Sequence, residues 1–156
     1  NKRRRELKGV QPNLAHQILA ELEQDFEVYI ITQNVDDLHE RAGSSKVLHL
    51  HGELLKVRST KNLNHILDWQ DDLNLDDLDE DNRQLRPHIV WFGEEVPALE
   101  EAVNLTQEAD IFVVIGTSLQ VYPAAGLIDY TKKQIPLFYI DPKPAKIPFQ
   151  RKERDG

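Results

Sequence analysis

The stretch that decides the fold is IITQNVDDLHERAGSSKVLHLHG, residues 30–52. Two short apolar segments, residues 28–31 and 47–50, are typical of strands that are buried on both faces. Polar residues follow each segment, and they are Gln33, Asn34, Asp36 and His51. Ligands of open α/β sheets bind at the carboxyl ends of the strands, so this stretch predicts both a parallel sheet and a candidate active site.

The rest of the chain repeats this alternation of strands and helices. Apolar segments rich in β-branched or aromatic residues predict further strands at 89–92, 111–115 and 137–140. Helical patterns occur at 14–24, 35–42, 98–108 and 124–133. Such an alternation places crossover helices on both faces of a parallel sheet. We therefore predict an α/β fold with a doubly wound parallel sheet.

The composition excludes several kinds of chemistry. The 156 residues include no cysteine, which rules out disulfides, thiolate catalysis and cysteine-ligated zinc. A chain without cysteine agrees with a reducing compartment, and we predict a cytoplasmic location. No apolar run approaches the roughly 18 residues of a membrane span, and the amino terminus lacks the apolar core of a signal peptide. We expect no membrane partner.

The charge is distributed unevenly. Seven of the 27 acidic residues fall within residues 71–81, with no cation among them. This run lacks the glycine turn and the terminal glutamate of a calcium loop, so a solvated insertion is favoured and a cation site is the alternative. The basic run at residues 2–5 has no aromatic or glycine-rich interleaving. A charged helix face is therefore favoured over a nucleic-acid contact, and we predict no nucleic-acid partner.

Residues 58–86 interrupt the alternation, because polar and acidic residues dominate there. A structureless loop of this length is unusual in a compact domain, so we predict a small inserted lobe. The main domain then consists of residues 1–57 and 87–145, and residues 146–156 form a charged tail.

Asn34 and Asp36 stand two residues apart just after the first strand. The amide of Asn34 can donate and accept hydrogen bonds, whereas an ionised Asp36 only accepts, so together they suit a carboxamide. The alternative is that both residues cap the helix that follows them.

Two histidines lie on one face of the second strand. His51 precedes Gly52, where the backbone can approach a ligand closely, and an imidazole can take a proton from a hydroxyl near neutral pH. His49 shares that face, so a histidine-pair metal site is the alternative. No third ligand stands at a matching spacing, and we predict no metal site.

A second constellation is IFVVIGTSLQVYP, residues 111–123. An apolar strand runs there into Gly116, Thr117 and Ser118, whose amides and hydroxyls form a natural cradle for phosphate or ribose oxygens. The alternative is a plain turn, which requires the same residue types. In a doubly wound sheet this strand end and that before Asn34 share one edge, so one ligand can contact both.

Five motifs in this order resemble those of the sirtuins, NAD-dependent protein lysine deacylases, and in particular a zinc-free bacterial-type member. They are TQNVDDLHERAG (32–43), LHLHGEL (48–54), RPHIVWFGEEVP (86–97), IGTSLQVYPAAGL (115–127) and YIDPKP (139–144). The resemblance implies a Rossmann-like NAD-binding domain with the small lobe inserted in it. It also implies that NAD is the co-substrate.

The resemblance implies a role for each polar group. It makes His51 the general base acting through the nicotinamide ribose, with Asn34 and Asp36 lining the nicotinamide pocket. The other implied cofactor-binding residues are Gln33 on the ribose, Val35 beside it, Gly116, Thr117 and Ser118 on the adenosine half, and Asp141, where the family usually has Asn.

Substrate binding follows from the same resemblance. The acyl-lysine peptide or protein segment is implied to add as a strand between residues 90–94 and the loop around Val121. The residues implied in this contact are Val90, Phe92, Gly93, Glu94 and Val121. An acylated lysine enters an apolar tunnel without a charge, which a free ammonium cannot do. Trp91 and Phe92 could alternatively be core aromatics.

In the implied reaction the acyl oxygen attacks the ribose carbon that bears nicotinamide, and nicotinamide leaves. His51 then helps a ribose hydroxyl attack the resulting imidate, and the acyl group departs as O-acyl-ADP-ribose.

Two departures from the family pattern are visible. Residues 53–86 lack the two Cys-x-x-Cys pairs that usually hold zinc, so we expect no zinc and a lobe held by its Leu and Trp side chains. The 156 residues also lack the first β-α unit with its Gly-Ala-Gly phosphate loop, the usual carboxyl-terminal segment and an initial methionine, so we expect a truncated sequence. The isolated chain is then expected to be weakly active or inactive. The alternatives are a non-catalytic NAD- or ADP-ribose-binding module and a peptide-binding fragment.

Overall fold

Short helices and strands alternate in a computed structural model that describes residues 1–143. The helices are α1 (Lys2–Leu7), α2 (Leu14–Glu21), α3 (Leu38–Ala42) and α4 (Leu99–Glu108), with 3-10 helices at Leu22–Gln24 and Ala124–Tyr130. The strands are β1 (Ile30–Thr32), β2 (Val47–His49), β3 (Gly52–Ser59), β4 (Ile66–Asp68), β5 (Leu85–Ile89), β6 (Phe112–Ile115) and β7 (Leu137–Ile140). The chain divides into two units, Asn1–Ala98 and a second unit that begins at Leu99.

The opening stretch folds as a β-α-β unit. Strands β1 and β2 pair in parallel, with Ile30 opposite Val47 and Thr32 opposite His49, and α3 connects them. Gly43 ends α3 in the left-handed conformation at φ 106°, which glycine adopts without steric cost. Both predicted strands and the helix between them are confirmed, although α3 starts three residues later than predicted.

The inserted region contains an antiparallel sheet that the sequence did not reveal. Its strand order is β4-β3-β5, and β3 is the longest strand of the described chain. The strand predicted at 89–92 is wrong, because β5 ends at Ile89 and the apolar residues after it lie outside the strand. Pairing of β3 with β5 from Gly52–Ile89 to Ser59–Leu85 carries this sheet beyond both predicted bounds of the lobe. The division at 58–86 stays a prediction.

The core of this lobe is small and partly polar. Val57 and Leu85 are its buried apolar residues, and Ser59, Arg58 and Asp79 are buried with them. Among the leucines of residues 58–86 only Leu85 is buried, and Leu75 is 86% exposed, so leucines contribute less to this core than predicted. Trp69 is half-buried and donates its indole hydrogen to the carbonyl of Asp72.

Helix α1 confirms the predicted helix in the basic run but not a uniformly exposed charged face. Arg4 is 1% exposed, and its guanidinium donates to the carbonyl of Leu54 at 2.9 Å and to that of Asp71 at 3.1 Å. Burial lowers the pKa of Arg4, and the charge of Asp72 opposes that shift. The Arg4 side chain thus links α1 to β3 and to the segment that follows β4.

Arg4→Ala is expected to lower the free energy of unfolding by about 2–4 kcal/mol, because a buried charged side chain and its two part-buried hydrogen bonds to backbone carbonyls are lost. Urea unfolding measures this change. Arg3 lies on the same helix and is exposed, so Arg3→Ala is the matched control and should stay within about 0.5 kcal/mol of the unsubstituted protein. Equal losses in the two variants would contradict the assignment.

The second unit contains α4 and a parallel pair of strands. Strands β6 and β7 pair from Phe112–Leu137 to Ile115–Ile140, as predicted. Val114 is buried, whereas the side chains that alternate with it along the pair are exposed, namely Val113, Ile115, Phe138 and Ile140. The expectation that both faces of these strands are buried is therefore wrong here. The helix predicted at 124–133 is the 3-10 helix Ala124–Tyr130.

The fold class is confirmed as mixed α/β with parallel strand pairs. Among residues 1–143, no helix has both the length and the apolar character needed to cross a bilayer. The predicted tail at 146–156 lies outside the described residues.

Candidate active site

The loop from β1 to α3, residues 33–37, is held by donors from the segment that begins in β2 and ends in β3. Four successive carbonyls, those of residues 32–35, each accept a hydrogen bond from this segment. In chain order the donors are Leu50 N (3.0 Å), His51 Nδ1 (3.1 Å), His49 Nδ1 (3.1 Å) and Leu54 N (2.7 Å). Backbone amides thus bond the carbonyls of residues 32 and 35, and the two histidine rings bond those of residues 33 and 34.

His51 lies in the turn between β2 and β3 and is half-buried. A carbonyl oxygen can only accept, so the hydrogen bond to Gln33 places a hydrogen on Nδ1 of His51. The neutral ring then carries its lone pair on Nε2, the nitrogen that a base uses to take a proton. The structure therefore anchors one nitrogen of His51, and the role of the other as a base stays a prediction.

His49 has the same kind of acceptor but a second partner as well. Its side chain is 6% exposed, and Nε2 lies 2.7 Å from Oε1 of Glu40. Burial lowers the pKa of His49, but the hydrogen bonds to Glu40 and to the Asn34 carbonyl outweigh it, so the pKa is raised. Burial raises the pKa of Glu40, and the hydrogen bond from His49 reverses this to a net lowering. Both shifts favour an imidazolium paired with a carboxylate.

Glu40, His49 and Glu53 bring three possible ligand atoms within 4.8 Å of one another. When the His49 ring is protonated, both of its nitrogens donate, one to the Asn34 carbonyl and one to Glu40, and the ring then has no lone pair for a cation. The ion pair accounts for this cluster. The predicted lack of a metal site stays a prediction.

Asn34 and Asp36 lie on the same loop and do different things. The backbone N–H of Asn34 donates to Thr32 Oγ1 at 3.0 Å, and its side chain is exposed. Asp36 Oδ1 accepts from the N–H of Leu38, the first residue of α3, at 3.2 Å. The N-cap residue of α3 is Asp37, which makes no side-chain capping hydrogen bond, so Asp36 bonds the helix from one position earlier. The side chain of Asn34 is exposed.

The second predicted cradle lies in the unit that begins at Leu99. Gly116 follows β6 at φ 62°, and a Cβ placed on it would meet no atom within 4 Å. Thr117 Oγ1 accepts from the N–H of Leu119 at 3.2 Å, and the hydroxyl of Tyr139 donates to the Thr117 carbonyl at 2.7 Å. These bonds form a turn whose Gly116 side is open, which agrees with both interpretations of the motif. Asp141 Oδ1 accepts from the N–H of Lys143 in a local turn.

The predicted substrate segment is bonded directly to His51. The N–H of Val90 donates to the carbonyl of His51 at 3.0 Å. Trp91 is more than half exposed and Phe92 is 99% exposed, so the alternative that these are core aromatics is wrong. Gly93 follows at φ 88°.

Glu94 holds the segment in shape. Its carboxylate accepts from Arg86 at 2.7 Å, from Arg58 at 3.3 Å and from the N–H of Trp91 at 3.1 Å. The Arg86 hydrogen bond and the Trp91 amide hold the pKa of Glu94 below its ordinary value. The Glu94 carboxylate is thus fully used in hydrogen bonds within this segment and to the two arginines. The substrate contacts predicted for Glu94 and Val121 stay predictions.

A model of the Sir2 family matches residues 1–123 of this chain. The chain belongs to the Sir2 family. Among curated Sir2-type relatives, an NAD-dependent protein deacylase of Helicobacter pylori strain J99 is 62% identical over 143 residues, which are 92% of this chain and 61% of the relative. The chain thus spans about three fifths of that relative's length.

Solved Sir2 structures share the fold. A mutant of a Sir2 homologue in complex with ADP-ribose superposes with a TM-score of 0.83 at 41% identity, covering 92% of this chain and 60% of that one. A Sir2 protein bound to acetylated peptide gives a TM-score of 0.73 at 36% identity, covering 87% of this chain and 61% of that one. The predicted family and the predicted Rossmann-like fold are both confirmed.

Sequence reasoning missed two contributors to this Sir2 site. It gave Glu40 no role and considered His49 only as a metal ligand. The signal available was the face shared by His49 and His51, which places both rings beside the same loop. The position of Glu40 on α3 opposite that face depends on the tertiary fold.

Proposed function

We propose that this Sir2-family protein is an NAD-dependent protein lysine deacylase that releases nicotinamide and O-acyl-ADP-ribose. One observation carries the proposal: Nδ1 of His51 is bonded to the Gln33 carbonyl, which directs the basic Nε2 away from the anchor. The deacylase names of relatives such as that from Helicobacter pylori support it.

The described residues fit NAD as the co-substrate. Asn34 offers an exposed amide that can pair with the nicotinamide carboxamide, and Asp36 lies on the same loop. In the other unit, the side of Gly116 where a Cβ would lie is open, while its N–H donates to the Ile140 carbonyl at 2.9 Å. We propose that Gly116, Thr117 and Ser118 contact the adenosine half. Gln33, Val35 and Asp141 complete the proposed contacts. Each of these assignments is a proposal.

His51 supplies the proton transfer in this proposal. Its Nε2 takes the proton of a ribose hydroxyl, and the Gln33 carbonyl stabilises the imidazolium that forms by accepting from Nδ1. Residues 90–94 receive the acyl-lysine peptide as an added strand, and Val121 is a further proposed substrate contact. The hydrogen bond from Val90 to the His51 carbonyl fixes residues 90–94, and with them the proposed peptide strand, beside His51.

We also propose that the inserted lobe folds without zinc. The sequence has no cysteine, and Val57, Ser59 and Leu85 already fill the centre of the lobe. Addition of a chelator should then leave its thermal unfolding unchanged. The cytoplasmic location stays a prediction.

The deciding experiment combines the expressed protein with NAD and an acetyl-lysine peptide. We expect one nicotinamide released for each lysine freed, and none when NAD is left out or the lysine is unmodified. Chromatography of nicotinamide and mass spectrometry of the peptide measure the two products. NAD binding without nicotinamide release would instead indicate a binding module, and peptide binding that is indifferent to NAD would indicate an interaction fragment.

A further inference from the structure

We infer that His49 and Glu40 form a positioning pair, which holds the loop of residues 33–37 in its catalytic shape through the carbonyl of Asn34. The inference rests on the proposed function, because that loop carries the proposed nicotinamide contacts. His49 touches no substrate in this assignment. It acts through the backbone of Asn34.

The loop needs a side-chain donor at this place. Backbone N–H groups of Leu50, just after β2, and of Leu54 in β3 donate to the carbonyls of Thr32 and Val35, at the two ends of the segment. Between these ends the chain leaves the sheet, and the carbonyls of Gln33 and Asn34 accept from the rings of His51 and His49. Without His49, the residue that presents the exposed amide loses its carbonyl anchor.

The two rings divide the work. His49 and His51 both donate from Nδ1 to a loop carbonyl at 3.1 Å. Only His49 has a carboxylate on Nε2, at 2.7 Å. His49 therefore bridges the Asn34 carbonyl and the Glu40 carboxylate, and His51 keeps Nε2 for proton transfer.

The charged groups around His49 favour this state. Glu40 and His39 face it from α3, and Glu53 faces it from β3, where Lys56 pairs with Glu53 at 2.8 Å. The two carboxylates favour the cation, whereas the charge of His39 would oppose it. Burial lowers the pKa of His39, so the His39 ring loses its charge at a lower pH than an ordinary histidine does.

The stability that the pair contributes depends on pH through both His49 and Glu40. The pKa of His49 is raised above 6.5, so its stabilising contribution is complete below pH 6.5 and is lost as the pH rises through the raised folded value. The pKa of Glu40 is lowered below 4.5, so its contribution is complete above pH 4.5 and is lost as the pH falls through the lowered value. The pair is therefore strongest between pH 4.5 and 6.5 and weakens in alkaline solution.

The test compares His49→Ala, His49→Gln and Glu40→Gln in the expressed protein. We expect His49→Ala to lower kcat for nicotinamide release by roughly 10- to 100-fold, with a smaller rise in the KM for NAD, because the loop is displaced while the base remains. His49→Gln keeps one N–H for the Asn34 carbonyl and should recover most of kcat. His65 lies in the lobe outside the site, so His65→Ala is the matched control.

Two readouts do not need turnover. Ring resonances should show His49 titrating above pH 6.5, and at a lower pH in Glu40→Gln. Amide hydrogen exchange at residues 33–37 should accelerate in His49→Ala and stay unchanged in His65→Ala. Titration of His49 at or below pH 6.5, unchanged exchange in His49→Ala, or zinc-induced shifts of the His49 ring would each overturn the inference.

The failure of the inference is separable from failure of the proposed function. A protein that releases no nicotinamide but shows the expected titration and exchange refutes deacylation and keeps the positioning pair. If the His49→Ala variant deacylates at the normal rate, the positioning pair is refuted and the proposed deacylase function stands.

Discussion

His51→Ala is expected to lower the rate of deacylation by about 10²- to 10⁴-fold, the range over which a general base contributes. NAD binding should change by no more than a few-fold, because the contacts proposed for Asn34 and for the Gly116 turn remain. Single-turnover measurement of acyl transfer and calorimetric titration with NAD separate the two effects.

A second variant distinguishes the base from the anchor. His51→Asn keeps a side-chain N–H that can reach the Gln33 carbonyl, but its amide cannot take a proton near neutral pH. We expect it to be as inactive as His51→Ala. If His51→Asn restored activity, the ring would be an anchor alone, and the proposed chemistry would need another base.

Gly52→Ala is expected to destabilise the unit Asn1–Ala98 strongly, although it adds only one methyl group. Gly52 adopts φ 80° at the start of β3, and an added Cβ would overlap the carbonyl oxygen of His88 and crowd Cα of Ile89 at 3.2 Å. We expect a loss of about 1–3 kcal/mol from the backbone conformation. The overlap with the opposite strand should cost a similar amount again.

Gly93→Ala is the matched control. Gly93 has φ 88°, close to that of Gly52, and a Cβ there would meet nothing within 4 Å. It should show only the conformational cost. Urea unfolding of both variants isolates the overlap as their difference, and equal losses would mean that the strands separate freely at Gly52.

The sequence predicted the β-α-β unit well because three signals agree there. Apolar segments, a helical pattern and a helix-ending Gly43 all describe the same local structure, and β1, α3 and β2 confirm them. His51 could be singled out because it follows an apolar strand and precedes glycine. That assignment needed no knowledge of distant contacts.

The inserted lobe escaped prediction because its stability comes from pairing and not from an apolar pattern. β3 mixes charged and apolar residues, and its buried members include Arg58 and Ser59. Arg58 is tolerated there because Glu94, 36 residues later, accepts its hydrogen bond. Only the folded chain brings such partners together.

The paired ends of β3 and β5 have a consequence for the evolution of the protein. They join at Gly52–Ile89 and again at Ser59–Leu85, so the chain leaves and re-enters the neighbourhood of His51 through one narrow neck. Residues beyond that neck, apart from residues 71–73, which hold α1, can change in length and composition without displacing the proposed base. The lobe is thus a module that could exchange one means of folding for another while His51 stayed in place.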